Sequence, residues 1–210
     1  MINKIIEKLN NSGKKIILAS GSPRRKELLE NAGLRFVILV TDADETVDES
    51  YHPPKAVLEI SRRKAEAAVA FCIAGGERHA VIMAADTIVC TDGGEILNKP
   101  ADKTEAFSML KKLEGRIHSV YTGMTVAVID GENIKYRQDY CKTNVKFKPL
   151  TDTQIKAYIE TEKPYDKAGS YAIQGNGGRI VENIEGDYNN VVGLPVGQLL
   201  EMMELIENEI

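Results

Sequence analysis

A switch from strand to helix around residues 20–25 limits what this chain can fold into. Lys15-Ile16-Ile17-Leu18-Ala19 is a short apolar run of strand character. Lys26 to Ala32 reads as helix and stops at Gly33. Between them stands Ser20-Gly21-Ser22-Pro23-Arg24-Arg25. Ser22 suits an N-cap and Pro23 the first helical position, so Arg24 and Arg25 fall in the first turn. Free N–H groups and the helix dipole already make that end positive. Each arginine there costs from a few tenths up to about 1 kcal/mol unless an anion sits among them. An anion would meet free amides, the Ser20 and Ser22 hydroxyls and two guanidinium groups, a phosphate-site arrangement. The alternative is an exposed basic turn that touches only solvent.

The same alternation continues along the chain. Phe36 to Val40 is purely apolar and is expected to be a strand buried on both faces. Pro53 and Pro54 open a long helix through Val57, Ile60, Ala67 and Phe71, ending near Gly75-Gly76. Ala80 to Ala85 forms a central strand that delivers Asp86-Thr87 and runs on through Ile88-Val89-Cys90. Asp92-Gly93-Gly94 then turns the chain. A helix follows over Asp102 to Leu113, then two longer strands around 119–129 and 135–147 joined by Asp130-Gly131-Glu132-Asn133, an antiparallel hairpin. Thr151 caps a helix through Ile155, Tyr158 and Ile159, a Gly-rich region runs from Lys167 to Gly178, Arg179 to Glu185 reads as strand, and Pro195 starts the last helix. Met1 to Asn11 spaces Ile2, Ile5, Ile6 and Leu9 as a short amphipathic helix. The pattern predicts an α/β fold: a mixed sheet covered by helices.

Composition removes several functions. The chain has 210 residues, 43% of them hydrophobic and 28% charged, with a net charge of −4 and no Trp. That balance argues against a coat for nucleic-acid polymers and against base-stacking platforms, while leaving room for a local basic cleft. Cys72, Cys90 and Cys141 are widely spaced and suit a reducing compartment. His52, His79 and His118 lie near no cysteine, which speaks against zinc of the usual spacing. No apolar run reaches membrane-spanning length and no signal-peptide core is present, so the cytoplasm is the expected compartment. A homodimer is compatible with the sequence, though no apolar stripe demands one.

The candidate chemistry lies in carboxylates and in basic residues at element ends. Asp86 interrupts an apolar strand, where a carboxylate is costly unless paired or bound to metal. Glu45 and Asp44 follow another strand, and parallel neighbours bring them to the same sheet end. Two such groups suit Mg²⁺. The competing readings are a structural carboxylate for Asp86 and a solvated acidic turn for at least one of Asp42, Asp44 and Glu45. Lys64 by itself reads as part of a solvated helix face. Lys99 precedes Pro100 and a helix N-cap. Lys167 with Gln174-Gly175 offers a lysine, a side-chain amide and close backbone approach, which suits a nucleotide. No nucleophile elbow, zincin, Walker or dinucleotide fingerprint is present. Metal-assisted attack of water on a phosphate is the simplest scheme.

Several motifs in order resemble one family. They are Ser20-Gly21-Ser22-Pro23-Arg24-Arg25 with Glu27-Leu28-Leu29, Ala85-Asp86-Thr87-Ile88-Val89, Asn98-Lys99-Pro100, Tyr121-Thr122-Gly123, Asp166-Lys167-Ala168-Gly169-Ser170-Tyr171, Ile173-Gln174-Gly175 and Val192-Gly193-Leu194-Pro195. Together they resemble the Maf family of nucleoside triphosphate pyrophosphatases, also called septum formation inhibitors. The resemblance implies a single domain over 1–210, with 1–13 as an N-terminal helical extension. It implies a fold similar to the inosine-triphosphate pyrophosphatases: an elongated mixed sheet, two lobes and a central cleft. It also implies hydrolysis of a nucleoside triphosphate to the monophosphate and pyrophosphate with Mg²⁺ or Mn²⁺, serving nucleotide-pool cleansing or arrest of cell division. Asp-Thr-Ile-Val and Ile-Gln-Gly resemble the dTTP/UTP branch. The alternatives are 7-methyl-GTP or another modified nucleotide, or a non-catalytic nucleotide sensor that inhibits septation. Carried over by position, Asp86 would activate water and, with Glu45, hold the metal. Arg25, Lys64 and Lys99 would hold phosphates; Arg24, Thr87 and Gln174 would shape substrate choice. Ala84 and Asn98 stand where the family commonly has glycine.

Overall fold

The computed structural model describes residues 2–46, 48 and 50–208. Strand β1 (Lys15–Leu18) pairs in parallel with both β2 (Val37–Ile38) and β3 (His79–Thr91), with Leu18 level with Ile38 and Met83. The other strands are β4 (Ile96–Leu97), β5 (Ile117–Asp130), β6 (Asn133–Phe147) and β7 (Val181–Glu185). Their order is β2-β1-β3-β5-β6-β7, with β4 antiparallel on β3. Gly131 and Glu132 alone connect neighbouring β5 and β6, and so short a link requires the antiparallel hairpin the sequence predicts. The fold is the expected mixed α/β arrangement. The chain divides into two compact units: the described residues of 1–86, 122–140 and 193–210, and those of 87–121 and 141–192.

In the first unit strand alternation builds two cores. Ile16 and Leu18 of β1, Val81, Met83 and Ala85 of β3, and Met124, Val126 and Val128 of β5 share one face. That face packs against Ile5, Ile6 and Leu9 of α1 (Ile2–Asn10), Leu29 of α2 (Pro23–Ala32) and Leu199, Leu200 and Met203 of α7 (Val196–Glu207). Ile17, Ala19, Ala80, Ile82 and Ala84 point the other way and meet Ala65, Ala68, Val69 and Cys72 of α3 (Pro53–Ala74). Burial of a large aliphatic side chain such as Leu29 contributes about 1.5–3 kcal/mol, and both faces are covered in this way.

One sequence expectation fails here. The run 36–40 pairs over two residues only and is not buried on both faces: Val37 and Ile38 are 46% exposed and Val40 67%. β2 is an edge strand with β1 as its neighbour, so only Phe36 and Leu39 reach the two cores. The long helix opened by Pro53 and Pro54 forms as expected; its buried stripe runs through Ala65, Ala68, Val69 and Cys72 and leaves Phe71 exposed.

In the second unit α4 (Lys103–Leu113) is capped by Asp102, whose carboxylate accepts from the N–H groups of Thr104 and Glu105. Helix α5 (Asp152–Glu162) begins with a capping box between Thr151 and Gln154. The Gly-rich region resolves into 3-10 turns at 168–170 and 175–179. A short helix, α6 (Tyr188–Val192), was not expected; Asp187 Oδ1 accepts from the Asn190 N–H at 3.1 Å. The stretch 179–180, expected to begin the strand, belongs to the turn, and β7 starts at Val181.

Candidate active site

One of the two arginines in the first turn of α2 finds its partners within the protein. Arg25 is buried, and its Nε donates to the Gly193 carbonyl at 2.8 Å. Its Nη1 donates to the Ala85 carbonyl at 2.8 Å and to Ser20 Oγ at 3.1 Å. One guanidinium thus ties the start of α2 to β3 and to the segment before α7. Burial pushes it below the usual arginine value, the charges of Asp86 and Glu45 oppose that shift, and Arg24 adds to it. Ser20 is the organising hydroxyl of the turn, since its Oγ also accepts from the Ser22 N–H at 3.3 Å. Ser22 occupies the N-cap position without a side-chain capping bond. Arg24 beside it is half-buried.

Asp86 follows directly from the alternation of β3. Ala84 faces α3 and Ala85 faces away, so Asp86 again points toward α3. There it meets Lys64, whose Nζ lies 2.7 Å from Asp86 Oδ1. Lys64 sits four residues after buried Ile60 and four before buried Ala68, on the stripe that packs against the sheet. The solvated face expected for it from sequence is therefore incorrect: its side chain is 14% exposed. The same Nζ lies 2.9 Å from Glu45 Oε1. One ammonium joins two carboxylates from different segments.

The acidic loop sorts into different roles. Asp44 accepts from the Thr46 N–H at 2.9 Å and the Thr46 hydroxyl at 2.7 Å, a local turn that holds its carboxyl below the usual range. Asp42 is exposed. Glu45 alone of the three reaches Lys64 among these contacts. The donor set suits a hard divalent cation, because Glu45 and Asp86 offer carboxylate oxygens beside one shared cationic position. Among the described residues no group of three or more His, Cys, Asp or Glu side chains could hold a metal, so water and substrate oxygens would complete such a site.

The remaining candidates, Thr87, Lys99, Lys167 and Gln174, belong to the second unit. The Gly169 N–H donates to the Asn98 carbonyl at 3.2 Å, which brings the Lys99 loop beside the Lys167 turn. Lys167 Nζ pairs with Asp166 at 2.6 Å, and Lys99 is exposed. Gln174 is half-buried and opens the 3-10 turn 175–179.

The model of the Maf-like protein family matches residues 15–206. The chain belongs to the Maf family. It is 50% identical over 190 residues to the dTTP/UTP pyrophosphatase of Caldanaerobacter subterraneus subsp. tengcongensis, covering 90% of this chain and 88% of that protein. A dTTP/UTP pyrophosphatase of Thermoanaerobacter sp. is 46% identical over 90% of this chain and 95% of its own length. That of Bacillus cereus is 43% identical over 97% and 96%.

Some features of this Maf protein escape a reading of its sequence. The carbonyls of Ala85 and Gly193 that receive Arg25 carry no side-chain signal. His118, one of the isolated histidines, is fully buried in the second unit with its Nε2 2.8 Å from the Tyr171 hydroxyl. It packs edge-on against Phe147 and Tyr171. Its place among alternating buried positions of β5 was the available clue.

Proposed function

We infer that this protein hydrolyses dTTP and UTP to the monophosphate and pyrophosphate. The observation that carries this reading is 43–50% identity, over at least nine tenths of the chain, to proteins named for that activity. The site chemistry agrees with it. A water attacks the α-phosphorus, the bond from phosphorus to the α–β bridging oxygen breaks, and pyrophosphate leaves. Asp86 takes the proton of the attacking water. Glu45 and Asp86 would hold Mg²⁺ or Mn²⁺, which when bound supplies charge stabilisation for the phosphate oxygens.

The other groups act on the triphosphate by charge and hydrogen bonding. Ser20, Ser22 and the first turn of α2 offer donors to phosphate oxygens. Arg25 fixes that turn against β3 through Ala85 and adds its charge to the phosphate site. Lys64, Lys99 and Lys167 bind phosphate oxygens, while Arg24, Thr87 and Gln174 select the base. The reaction is assigned to the cytoplasm, because Cys72, Cys90 and Cys141 are not joined in disulfides, which suits a reducing compartment.

The test is pyrophosphate release from dTTP, UTP, CTP, dCTP, GTP and 7-methyl-GTP, with and without Mg²⁺. Metal-dependent release that is fastest for dTTP and UTP is expected. Release from 7-methyl-GTP alone, or from none of them, contradicts the assignment.

A further inference from the structure

The Glu45–Lys64–Asp86 contact has a consequence beyond phosphate binding. Lys64 Nζ stands 2.9 Å from one carboxylate and 2.7 Å from the other. A divalent cation held by the same two carboxylates would share oxygen atoms with that ammonium at hydrogen-bonding distance. Both charges cannot occupy that position, because like charges so close repel strongly in a partly buried site. The lysine has a flexible four-carbon stem and three rotatable donors, so its head can swing while its backbone stays on α3. Removed from the carboxylates with nothing to receive it, the ammonium would be left unpaired beside a packed helix, which is costly. A triphosphate supplies the missing partner.

We propose that Lys64 is a displaceable placeholder: in the nucleotide-free protein its ammonium holds the position between Glu45 and Asp86 that the divalent cation takes, and the arriving phosphates draw it off. Lys64 thereby couples the two ligands. Metal binds weakly alone and tightly with nucleotide, and by reciprocity nucleotide binds tightly with metal. The ammonium also cancels one of the two carboxylate charges between turnovers, so repulsion of the incoming polyanion is weakened without a resident ion. This rests on the pyrophosphatase reading for the nature of the ligand.

The test is Mn²⁺ binding to the nucleotide-free protein, followed by electron paramagnetic resonance, in wild type, Lys64→Met and Lys64→Gln. Circular dichroism confirms that each variant is folded, and Lys64→Gln, which retains amide donors toward the carboxylates, guards against loss of fold in Lys64→Met. Mn²⁺ alone should bind about tenfold tighter to Lys64→Met than to wild type, within the usual range of coupling between sites. A non-hydrolysable α,β-imido analogue of dTTP should tighten Mn²⁺ binding in wild type more than in either variant. Equal or weaker Mn²⁺ affinity in both folded variants overturns the proposal, as does the absence of Mn²⁺ binding in all three proteins. A wild type that binds Mn²⁺ as expected but releases no pyrophosphate from dTTP or UTP would overturn the activity and leave the placeholder standing.

Discussion

The charged constellation of the first unit and the Gly-rich segment 166–179 of the second are held in place by opposite means. Around Asp86, side chains fix one another: Lys64 bridges two carboxylates, and Arg25 ties three backbone segments with one guanidinium. Around Gly169 and Gly177, the absence of side chains does the fixing. Gly169 has φ +67° and would bring a Cβ within 2.9 Å of Val89, and a Cβ on Gly177 would lie 1.6 Å from the Ala172 carbonyl oxygen. The first region spends charge to place chemistry on regular elements. The second spends conformational freedom to pass a loop close to its own backbone. Substitution of Asp86 should therefore damage turnover, substitution of Arg25 should loosen the tie that holds the site, and substitution of the glycines should damage folding or loop position.

The largest effect expected on this contrast is from Asp86→Asn. The amide still accepts from Lys64, so thermal stability should change little, while kcat for dTTP falls about 10²–10⁴-fold. A rate near wild type would remove Asp86 as the base. Next is Arg25→Met, which leaves the carbonyls of Ala85 and Gly193 without this donor. Unfolding in urea should show a loss of about 2–6 kcal/mol, at about 1–3 kcal/mol for each of the two carbonyls that lose this donor. An unchanged midpoint would mean that the tie is idle.

His118 gives the second unit its own titration. Burial lowers it from 6.5 to about 4, so the unfolded chain takes up this proton first as the pH falls. Its stability contribution is complete above pH 6.5, shrinks between 6.5 and 4, and is gone below, amounting to about 3 kcal/mol. Urea unfolding at pH 7 and pH 4.5 should reveal the drop in wild type and a smaller one in His118→Gln. The smallest effect on the rate is expected from Gly177→Ala, which forces the 172–177 backbone apart and costs stability, at least about 1–3 kcal/mol. Its rate on dTTP should change through KM rather than kcat if Gln174 serves the base and not the reaction.

Much of this was legible from local pattern. The helix starts at Pro23, Pro53, Asp102 and Thr151 have capping or proline chemistry that acts within one turn. Asp86 stood out because an apolar strand on both sides made a carboxylate conspicuous. Lys64 did not, because its burial depends on which strand packs over α3, and no neighbour in sequence records that. The exposed face of Val37 and Ile38 was illegible for the same reason: an apolar run does not say whether its strand lies at the edge. Nor could the sequence distribute the acidic loop, where Thr46 captures Asp44 and leaves Glu45 to meet Lys64.

The central claim is that Glu45, Lys64 and Asp86 form the reaction centre. Anomalous diffraction from crystals grown with Mn²⁺ and the α,β-imido analogue of dTTP tests it most directly. The expected map has an Mn²⁺ peak between Glu45 and Asp86, with the α-phosphate beside Asp86 and the Lys64 ammonium moved onto a phosphate oxygen. An analogue bound elsewhere, with Lys64 still bridging the two carboxylates, would contradict it.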